Sequence, residues 1–235
     1  NLTSVNMSGA NLGDVNLYDV NFTSVNMSGV NLRGGALGDV NLYDVNLSYA
    51  NLSNTFLSYS DLNSVNLSYA DLSNTGLYNV NLYDVNLSGS NLGNTDLRHA
   101  ALSGVSSGGI WGTPLLPEGW QLIAGYLVGP GTDLSEAYFQ GVDLSGVDLR
   151  NASLNGADLH GADLHGADLH GVRSEGITGT AMGLPVGWQL MAGYLVGPGA
   201  NLSGASLFGA DLWGVNLRSA DLSGWNLGGV HLVAV

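Results

Sequence analysis

A large apolar residue recurs at every fifth position of the first 105 residues, and this spacing constrains the fold more than any other feature. Leu, Met or Phe is the second residue of twenty-one consecutive blocks, from Leu2 to Leu102. On an α-helix, successive members of this series would be rotated by about 140°, and on a flat strand they would alternate between faces. The chain must therefore turn a corner in every block. If each block makes a quarter turn, four blocks close one coil and the apolar residues point to a common axis.

A twenty-residue super-period supports this interpretation, because segments 46–65, 66–85 and 86–105 align at an offset of twenty residues. Two residue types recur in register across these segments, as Thr55, Thr75 and Thr95 and as Asn54, Asn74 and Asn94. Residues one coil apart should lie about 4.8 Å from each other, the spacing of hydrogen-bonded strands. Residues that lie above one another in successive coils form a column. We expect the column of Asn residues to form an amide ladder, in which each side-chain amide bonds to the next.

Two stretches, ADLHGADLHGADLHG (157–171) and GADLWGVNLRSADLSG (209–224), resemble the consensus A(D/N)LXX of the pentapeptide-repeat family. The resemblance implies an all-β fold, a right-handed quadrilateral β-helix with four pentapeptides per coil. It also implies that the central Leu or Phe and the residue two before it face inward. The family usually has Ala at the smaller inward position, whereas this chain often has Val, at Val15, Val20, Val25, Val40, Val45, Val80 and Val85. Leu and Val should therefore fill the bore, that is, the interior of the coil towards which these two positions point.

The repeat is interrupted twice, which divides the chain into five segments. Solenoid segments are predicted at 1–105, 133–172 and 201–235, and insertions at 106–132 and 173–200. The last fourteen residues of the two insertions, GWQLIAGYLVGPGT and GWQLMAGYLVGPGA, differ at only two positions. Each predicts a β-hairpin, because short apolar runs flank an Ala-Gly turn and Gly-Pro-Gly ends the second strand. Similar insertions in some pentapeptide-repeat proteins also favour a structural element over an enzymatic domain.

Four hairpin aromatics are candidate contact residues, namely Trp120, Tyr126, Trp188 and Tyr194. In one interpretation their rings lie against the outer wall of the coil and bury their own apolar surface. In the other, the two hairpins make a lateral contact with another chain or a ligand. Exposure of the two Trp rings decides between them.

The sequence gives no support for catalysis, a cofactor or a metal site, so we expect a protein that is not an enzyme. It has no Cys, no phosphate loop and no nucleophile elbow. His160, His165 and His170 look like a metal tract, but a spacing of five residues places them on three different walls of a square coil. The many Asn-x-Ser/Thr triplets follow from the repeat itself.

The net charge limits the kinds of partner that the protein can bind. With 19 acidic residues and only five Arg or Lys, it is −14. An acidic surface repels nucleic acid, so direct DNA or RNA binding is not expected. No apolar run is long enough to span a membrane. The family resemblance implies one alternative, since its gyrase-protecting members use an acidic rod to mimic DNA. A type II topoisomerase is therefore a second candidate partner.

The two ends of the sequence are in phase with the repeat and show no recognisable cap. Open solenoid edges recruit other strands, so we expect a structural or scaffold rod that assembles end to end with copies of itself into a fibre. A fragment of a longer interaction scaffold is the other explanation. The candidate axial contact residues are Asn1, Leu2, Val230, Leu232 and Val235.

Overall fold

A computed structural model of the chain describes residues 2–225 and 228–230. Contacts divide the chain into two compact units, Asn1–Leu127 and Val128–Val235. The extended strands form two small sheets of two strands each, and their bounds are β1 Gln121–Ile123, β2 Tyr126–Val128, β3 Gln189–Met191 and β4 Tyr194–Val196. The described residues contain no helix long and apolar enough to cross a membrane.

The first unit is built of coils that contact each other through parallel β-bridges. Bridges join residues twenty positions apart, for example Asn6 to Asn26 and Asn46 to Asn66. Between coils the backbone donates in both directions, from Leu47 N to Asn66 O at 2.8 Å and from Asn46 N to Val25 O at 3.1 Å. The twenty-residue coil expected from the sequence is thus confirmed, with four blocks in each turn.

Each corner of the coil is a tight turn that the block sequence specifies. In the block Asn41 to Val45, Val45 N donates to Leu42 O at 3.1 Å and Asp44 has a φ of 57°. A positive φ at the third of the four turn residues is typical of a type II turn, and Asn, Asp and Gly tolerate it best. Asn41 Oδ1 also accepts a hydrogen bond from Tyr43 N at 2.9 Å, which holds the corner in place.

The bore of the first unit is apolar, as the sequence predicts. The central Leu residues are fully buried from Leu32 onwards, and the smaller inward residues Val25, Val45 and Val85 are no more than 1% exposed. Three inward positions hold Thr instead, and these hydroxyls are not left unpaired. Thr75 Oγ1 donates to Leu52 O at 2.7 Å, and Thr55 and Thr95 make the same bond one coil away. A buried hydroxyl with a carbonyl partner avoids the cost of desolvation.

The coil continues further into both insertions than the block pattern indicates. In the first unit, bridges still join Asn86 to Ser106, Asn91 to Trp111 and Asp96 to Leu115. The last of these spans nineteen residues instead of twenty, so one residue has been lost from the repeat. The first part of segment 106–132 is therefore coil, and only its second part forms the hairpin.

The second unit repeats this arrangement around its own hairpin. Bridges join Ser153 to Arg173 and Asp163 to Gly183, so coil geometry again extends past Val172. Arg173 also pairs with Asn201, and this bridge spans the inserted residues. In the hairpin, β3 and β4 are antiparallel with Leu190 opposite Leu195.

Candidate interaction surfaces

Both hairpins are fixed to the coil by an equivalent hydrogen bond to a serine. Leu127 N donates to Ser107 Oγ at 2.9 Å, and Leu195 N donates to Ser174 Oγ at 2.8 Å. Ser107 and Ser174 occupy the block position that holds Leu elsewhere in the repeat. The exchange of a bore Leu for Ser therefore supplies the acceptor that docks the second strand of each hairpin.

The hairpin turns are docked in the same way in both modules. Ile110 N donates to Gly125 O at 3.0 Å, and Ile177 N donates to Gly193 O at 3.0 Å. A Cβ on Gly125 would lie only 3.1 Å from Gly109 N, so the turn approaches the coil too closely for most side chains. Glycine is required here by contact as well as by its φ of 81°.

The four hairpin aromatics pack onto their own unit to different degrees. Trp188 and Tyr194 are buried, at 7% and 9% exposure, whereas Trp120 and Tyr126 are half-buried. The Trp188 ring covers Gly197, where an added Cβ would lie 2.4 Å from Cδ2. Tyr194 Oη accepts a hydrogen bond from Ser206 N at 3.4 Å. These contacts favour the packing interpretation, and a lateral contact through these rings stays a prediction.

Exposed aromatic side chains lie instead on the outer walls, as Tyr138, Phe208 and Trp213 in the second unit and in greater number in the first unit. The rings of Tyr49 and Tyr69 are 66% and 59% exposed and stack on each other, with centroids 5.1 Å apart and planes 8° from parallel. Both residues lie at the left-handed turn position, with φ of 60° and 59°. For a bulky side chain this conformation costs about 1–2 kcal/mol. Other exposed aromatics of the unit are Tyr18, Tyr43, Phe56, Tyr59, Tyr83 and Trp111.

Amide side chains form ladders along the walls, as expected, although not along the whole of every column. Asn94 Nδ2 donates to Asn74 Oδ1 at 3.2 Å, which is one rung of the column predicted from the sequence. A second column has two rungs at 3.4 Å each, from Asn46 to Asn26 and from Asn66 to Asn46. Such ladders add side-chain bonds to the backbone bonds between coils.

Two arginines on the walls, Arg98 and Arg150, pair with the acidic residue of their own block. Arg98 donates from Nε and Nη2 to Asp96 at 2.9 Å each, and this bidentate pair holds the pKa of the Asp96 carboxyl below its ordinary value. Arg150 lowers the pKa of Asp148 in the same way and lies 3.6 Å from Asp168. The second unit therefore has part of its acidic surface neutralised locally.

The three histidines of the ADLHG blocks also contact their own aspartates. His165 Nδ1 lies 2.6 Å from Asp163 Oδ1, and the backbone N–H and the ring of His165 lower the pKa of that carboxyl. His170 makes the equivalent contact with Asp168 at 2.7 Å, and His160 N donates to Asp158 Oδ1 at 2.9 Å. Within residues 2–225 and 228–230 no three His, Cys, Asp or Glu side chains are grouped so that they could hold a metal ion.

Of the five candidate axial contact residues, two lie among the residues that the structure describes. Leu2 and Val230 are half-buried, and Leu2 N donates to Asn21 O at 3.2 Å. Asn1, Leu232 and Val235 lie outside the described residues. Val5 in the first described coil is 40% exposed, whereas Val25, the next member of its column, is 1% exposed. This coil therefore presents bore residues that the later coils bury.

The family model for pentapeptide repeats matches the chain in eight copies, and these matches cover most of its length, at 1–35, 41–76, 77–106, 132–171 and 198–232. The chain belongs to the pentapeptide repeat family. Its coil is accordingly the right-handed quadrilateral β-helix of this family, and the two unmatched central segments contain the hairpins. No curated protein matches this pentapeptide repeat chain.

Solved structures of other pentapeptide repeat proteins resemble the chain. HetL, a protein involved in heterocyst differentiation regulation in the cyanobacterium Nostoc sp. strain PCC 7120, is 29% identical, with a TM-score of 0.46 over 98% of this chain and 84% of HetL. Rfr23 from the cyanobacterium Cyanothece 51142 is 26% identical, with a TM-score of 0.36 over 48% of this chain and 90% of its own. QnrB1, a plasmid-mediated fluoroquinolone resistance protein, is 17% identical, with a TM-score of 0.35 over 76% and 92%.

Proposed function

We propose that this pentapeptide repeat protein is a non-enzymatic structural rod that assembles end to end with copies of itself into a fibre. The observation that carries the proposal is the uniform contact between coils. The same backbone bond recurs from coil to coil, from Leu47 N to Asn66 O and from Leu67 N to Asn86 O, both at 2.8 Å. A coil edge therefore offers donors and acceptors in the arrangement that a further coil would use.

The first described coil has the kind of apolar surface that a further coil covers in this solenoid. Val5 is 40% exposed, and Met7, Leu12 and Leu17 are only partly buried against the core. The corresponding residues of later coils, such as Val45 and Met27, are almost completely covered. Any further coil stacked here would remove this surface from water and extend the ladder, and in the proposal that coil belongs to a second copy.

The proposed lack of catalysis is supported by what the walls contain. The outward positions hold mostly Asn, Ser, Gly, Tyr and Asp, and the aspartates accept hydrogen bonds from their own blocks. Their pKa values, where shifted, are lowered, as for Asp143 and Asp221, because hydrogen bonds from Ser145 and Ser223 favour the ionised carboxyl. A general acid at neutral pH needs a shift in the opposite direction.

Electron microscopy of the purified chain across a concentration series tests the proposal. We expect filaments with a layer spacing of about 4.8 Å, the distance between hydrogen-bonded strands. Val5→Lys should abolish them, because it would bury a charge in the axial contact. Tyr43→Lys introduces the same charge on an outward wall and is the matched control, which should leave filaments intact. Monomeric rods at all concentrations, or filaments that survive Val5→Lys unchanged, would refute axial assembly.

The acidic DNA mimic is the alternative, and the net charge of −14 favours it. Its partner would be a type II topoisomerase. In the second unit the aspartates of neighbouring coils lie above one another, as Asp143 and Asp163 do. On the next wall, however, Arg150 lies close to both Asp148 and Asp168 and weakens the negative field there. A supercoiling assay with a purified type II topoisomerase is expected to show no inhibition, and inhibition that disappears in Asp143→Asn/Asp163→Asn would establish the alternative instead.

A further inference from the structure

We infer that Tyr49 and Tyr69 form a modification site, at which a one-electron oxidant joins the two phenol rings into an intramolecular dityrosine. The two residues occupy the same corner of neighbouring coils. Their rings are parallel within 8°, with centroids 5.1 Å apart, and both are more than half exposed. An oxidant in solution therefore reaches both phenols, and the radicals that it generates are already in contact.

The stack is confined to these two rings by glycines. In the column at this corner the neighbouring members are Gly29 before Tyr49 and Gly89 after Tyr69. A Cβ on Gly89 would lie 2.5 Å from Tyr69 Cδ1, so the absence of a side chain leaves room for the Tyr69 ring. Coupling at this corner can therefore give one dityrosine and no longer chain of linked rings.

The turn itself does not favour tyrosine at these two positions. Tyr49 and Tyr69 both have the left-handed conformation, at positions where most blocks have Gly, Asn or Asp. Strained residues of this kind persist where the surrounding structure holds them and are often functional. The Asn46 to Asn66 rung and the bond from Tyr49 N to Ser68 O at 2.9 Å fix the two blocks relative to each other.

The coupling requires an oxidant in solution and no group of the protein other than the two phenols. The oxidant, for example a peroxidase intermediate or a photo-oxidised ruthenium complex, removes one electron from each phenol, and each phenol releases its proton to water. The two phenoxyl radicals join through one bond between ortho ring carbons. The hydrogen on each of these carbons then moves to the phenolic oxygen, which restores both aromatic rings. The product has lost two hydrogen atoms and links residues twenty positions apart.

Such a link would staple adjacent coils of the first unit. A crosslink between Tyr49 and Tyr69 closes a loop of one coil and so reduces the freedom of the unfolded chain, as a disulfide does. The chain has no cysteines and hence no disulfide that could serve this purpose. The crosslinked protein should therefore unfold at a higher urea concentration than the untreated protein.

The test is photo-oxidation of the full chain with ruthenium tris-bipyridyl and persulfate, followed by dityrosine fluorescence and peptide mass spectrometry of the monomer band. We expect one dominant crosslinked peptide pair, joining Tyr49 to Tyr69, and its loss in urea-unfolded protein. Tyr49→Phe should remove the product. Tyr59→Phe is the matched control, because Tyr59 is 60% exposed and also left-handed, with a φ of 67°, yet has no stacked tyrosine.

Three results would overturn the inference. The first is a Tyr49–Tyr69 yield no greater than that of links involving Tyr43, Tyr59 or Tyr83. The second is unchanged dityrosine fluorescence of the monomer in Tyr49→Phe. The third is the absence of an intramolecular product while circular dichroism shows both the treated protein and Tyr49→Phe to be folded.

Discussion

Truncation of one bore leucine, Leu72→Ala, should be strongly destabilising. Leu72 is fully buried, and the change removes three carbon atoms, a loss of about 2.4 kcal/mol at about 0.8 kcal/mol for each methylene. The cavity adds to this loss because its neighbours cannot collapse into it. Leu52 N donates to Asp71 O at 2.8 Å and Leu72 N to Asn91 O at 2.9 Å, so backbone bonds fix the distance between coils. We therefore expect a total cost of about 3–5 kcal/mol, in the upper part of the range for buried leucines.

Urea denaturation followed by circular dichroism measures this cost, with two controls. Leu72→Met nearly conserves volume and should cost less than about 1.5 kcal/mol. Leu115→Ala truncates a leucine that is 50% exposed and should cost less than about 1 kcal/mol. If Leu72→Ala costs no more than Leu115→Ala, the bore is not the closely packed core that this account requires.

Three further expectations follow from contacts of the two units. Gly197→Ala should displace the Trp188 ring and shift its fluorescence to longer wavelength, whereas Gly13→Ala, where the nearest atoms are 3.5 Å from the added Cβ, should not; equal spectra would contradict the packing of Trp188. Ser174→Ala removes the acceptor for Leu195 N and should lower the free energy of unfolding by about 1–3 kcal/mol, while Ser203→Ala on the exposed wall should change it by less than about 0.5 kcal/mol; the argument fails if the two variants are equally stable. The carboxyls of Asp96 and Asp148 have lowered pKa values, so their stabilisation is present above the ordinary aspartate pKa of about 4 and is lost as pH falls through the folded-state values. The midpoint of urea denaturation should accordingly decrease on acidification below about pH 4, and Asp96→Asn should reduce that decrease; a midpoint independent of pH would be inconsistent with these pairs.

The coil could be predicted from the sequence because its cause is local. Each block contains its own corner, and most blocks have Asn or Asp at the first position, Leu at the second and a residue tolerant of positive φ at the fourth. Asn41, Leu42 and Asp44 illustrate the pattern. The offset of twenty residues then follows from four such corners, and it is visible in the recurrence of Thr55, Thr75 and Thr95.

The extent of the coil at the insertions was harder to predict, because bridges need only backbone geometry. Trp111 and Leu115 break the block pattern but still pair with Asn91 and Asp96. If the end of the coil is placed where the central Leu stops recurring, the predicted coil is therefore too short. Ser107 is a further sequence signal of the hairpin, because it replaces a bore Leu at the start of the insertion and accepts the hydrogen bond from Leu127 N.

The interaction surface was predicted least well, because side-chain exposure depends on the neighbouring coil. Trp188 belongs to an apolar hairpin that the sequence marks as a contact candidate, yet its ring lies over Gly197 and is buried. The stacked pair Tyr49 and Tyr69 does not stand out along the chain, although the two residues are twenty positions apart and so lie in one column. Comparison of residue types along each column, rather than along the chain, reveals this pair.

Disulfide formation between introduced cysteines tests the twenty-residue coil most directly, since the chain has no cysteines of its own. Ser68 and Ser88 are equivalent positions one coil apart, whereas Ser48 and Ser88 are two coils apart. A disulfide requires Cα atoms about 4.4–6.8 Å apart, which stacked neighbouring strands at about 4.8 Å satisfy and strands two coils apart do not. Mild oxidation should therefore link Ser68→Cys/Ser88→Cys within the monomer and leave Ser48→Cys/Ser88→Cys reduced. Equal oxidation of the two pairs, or oxidation of the second pair alone, would contradict the coil.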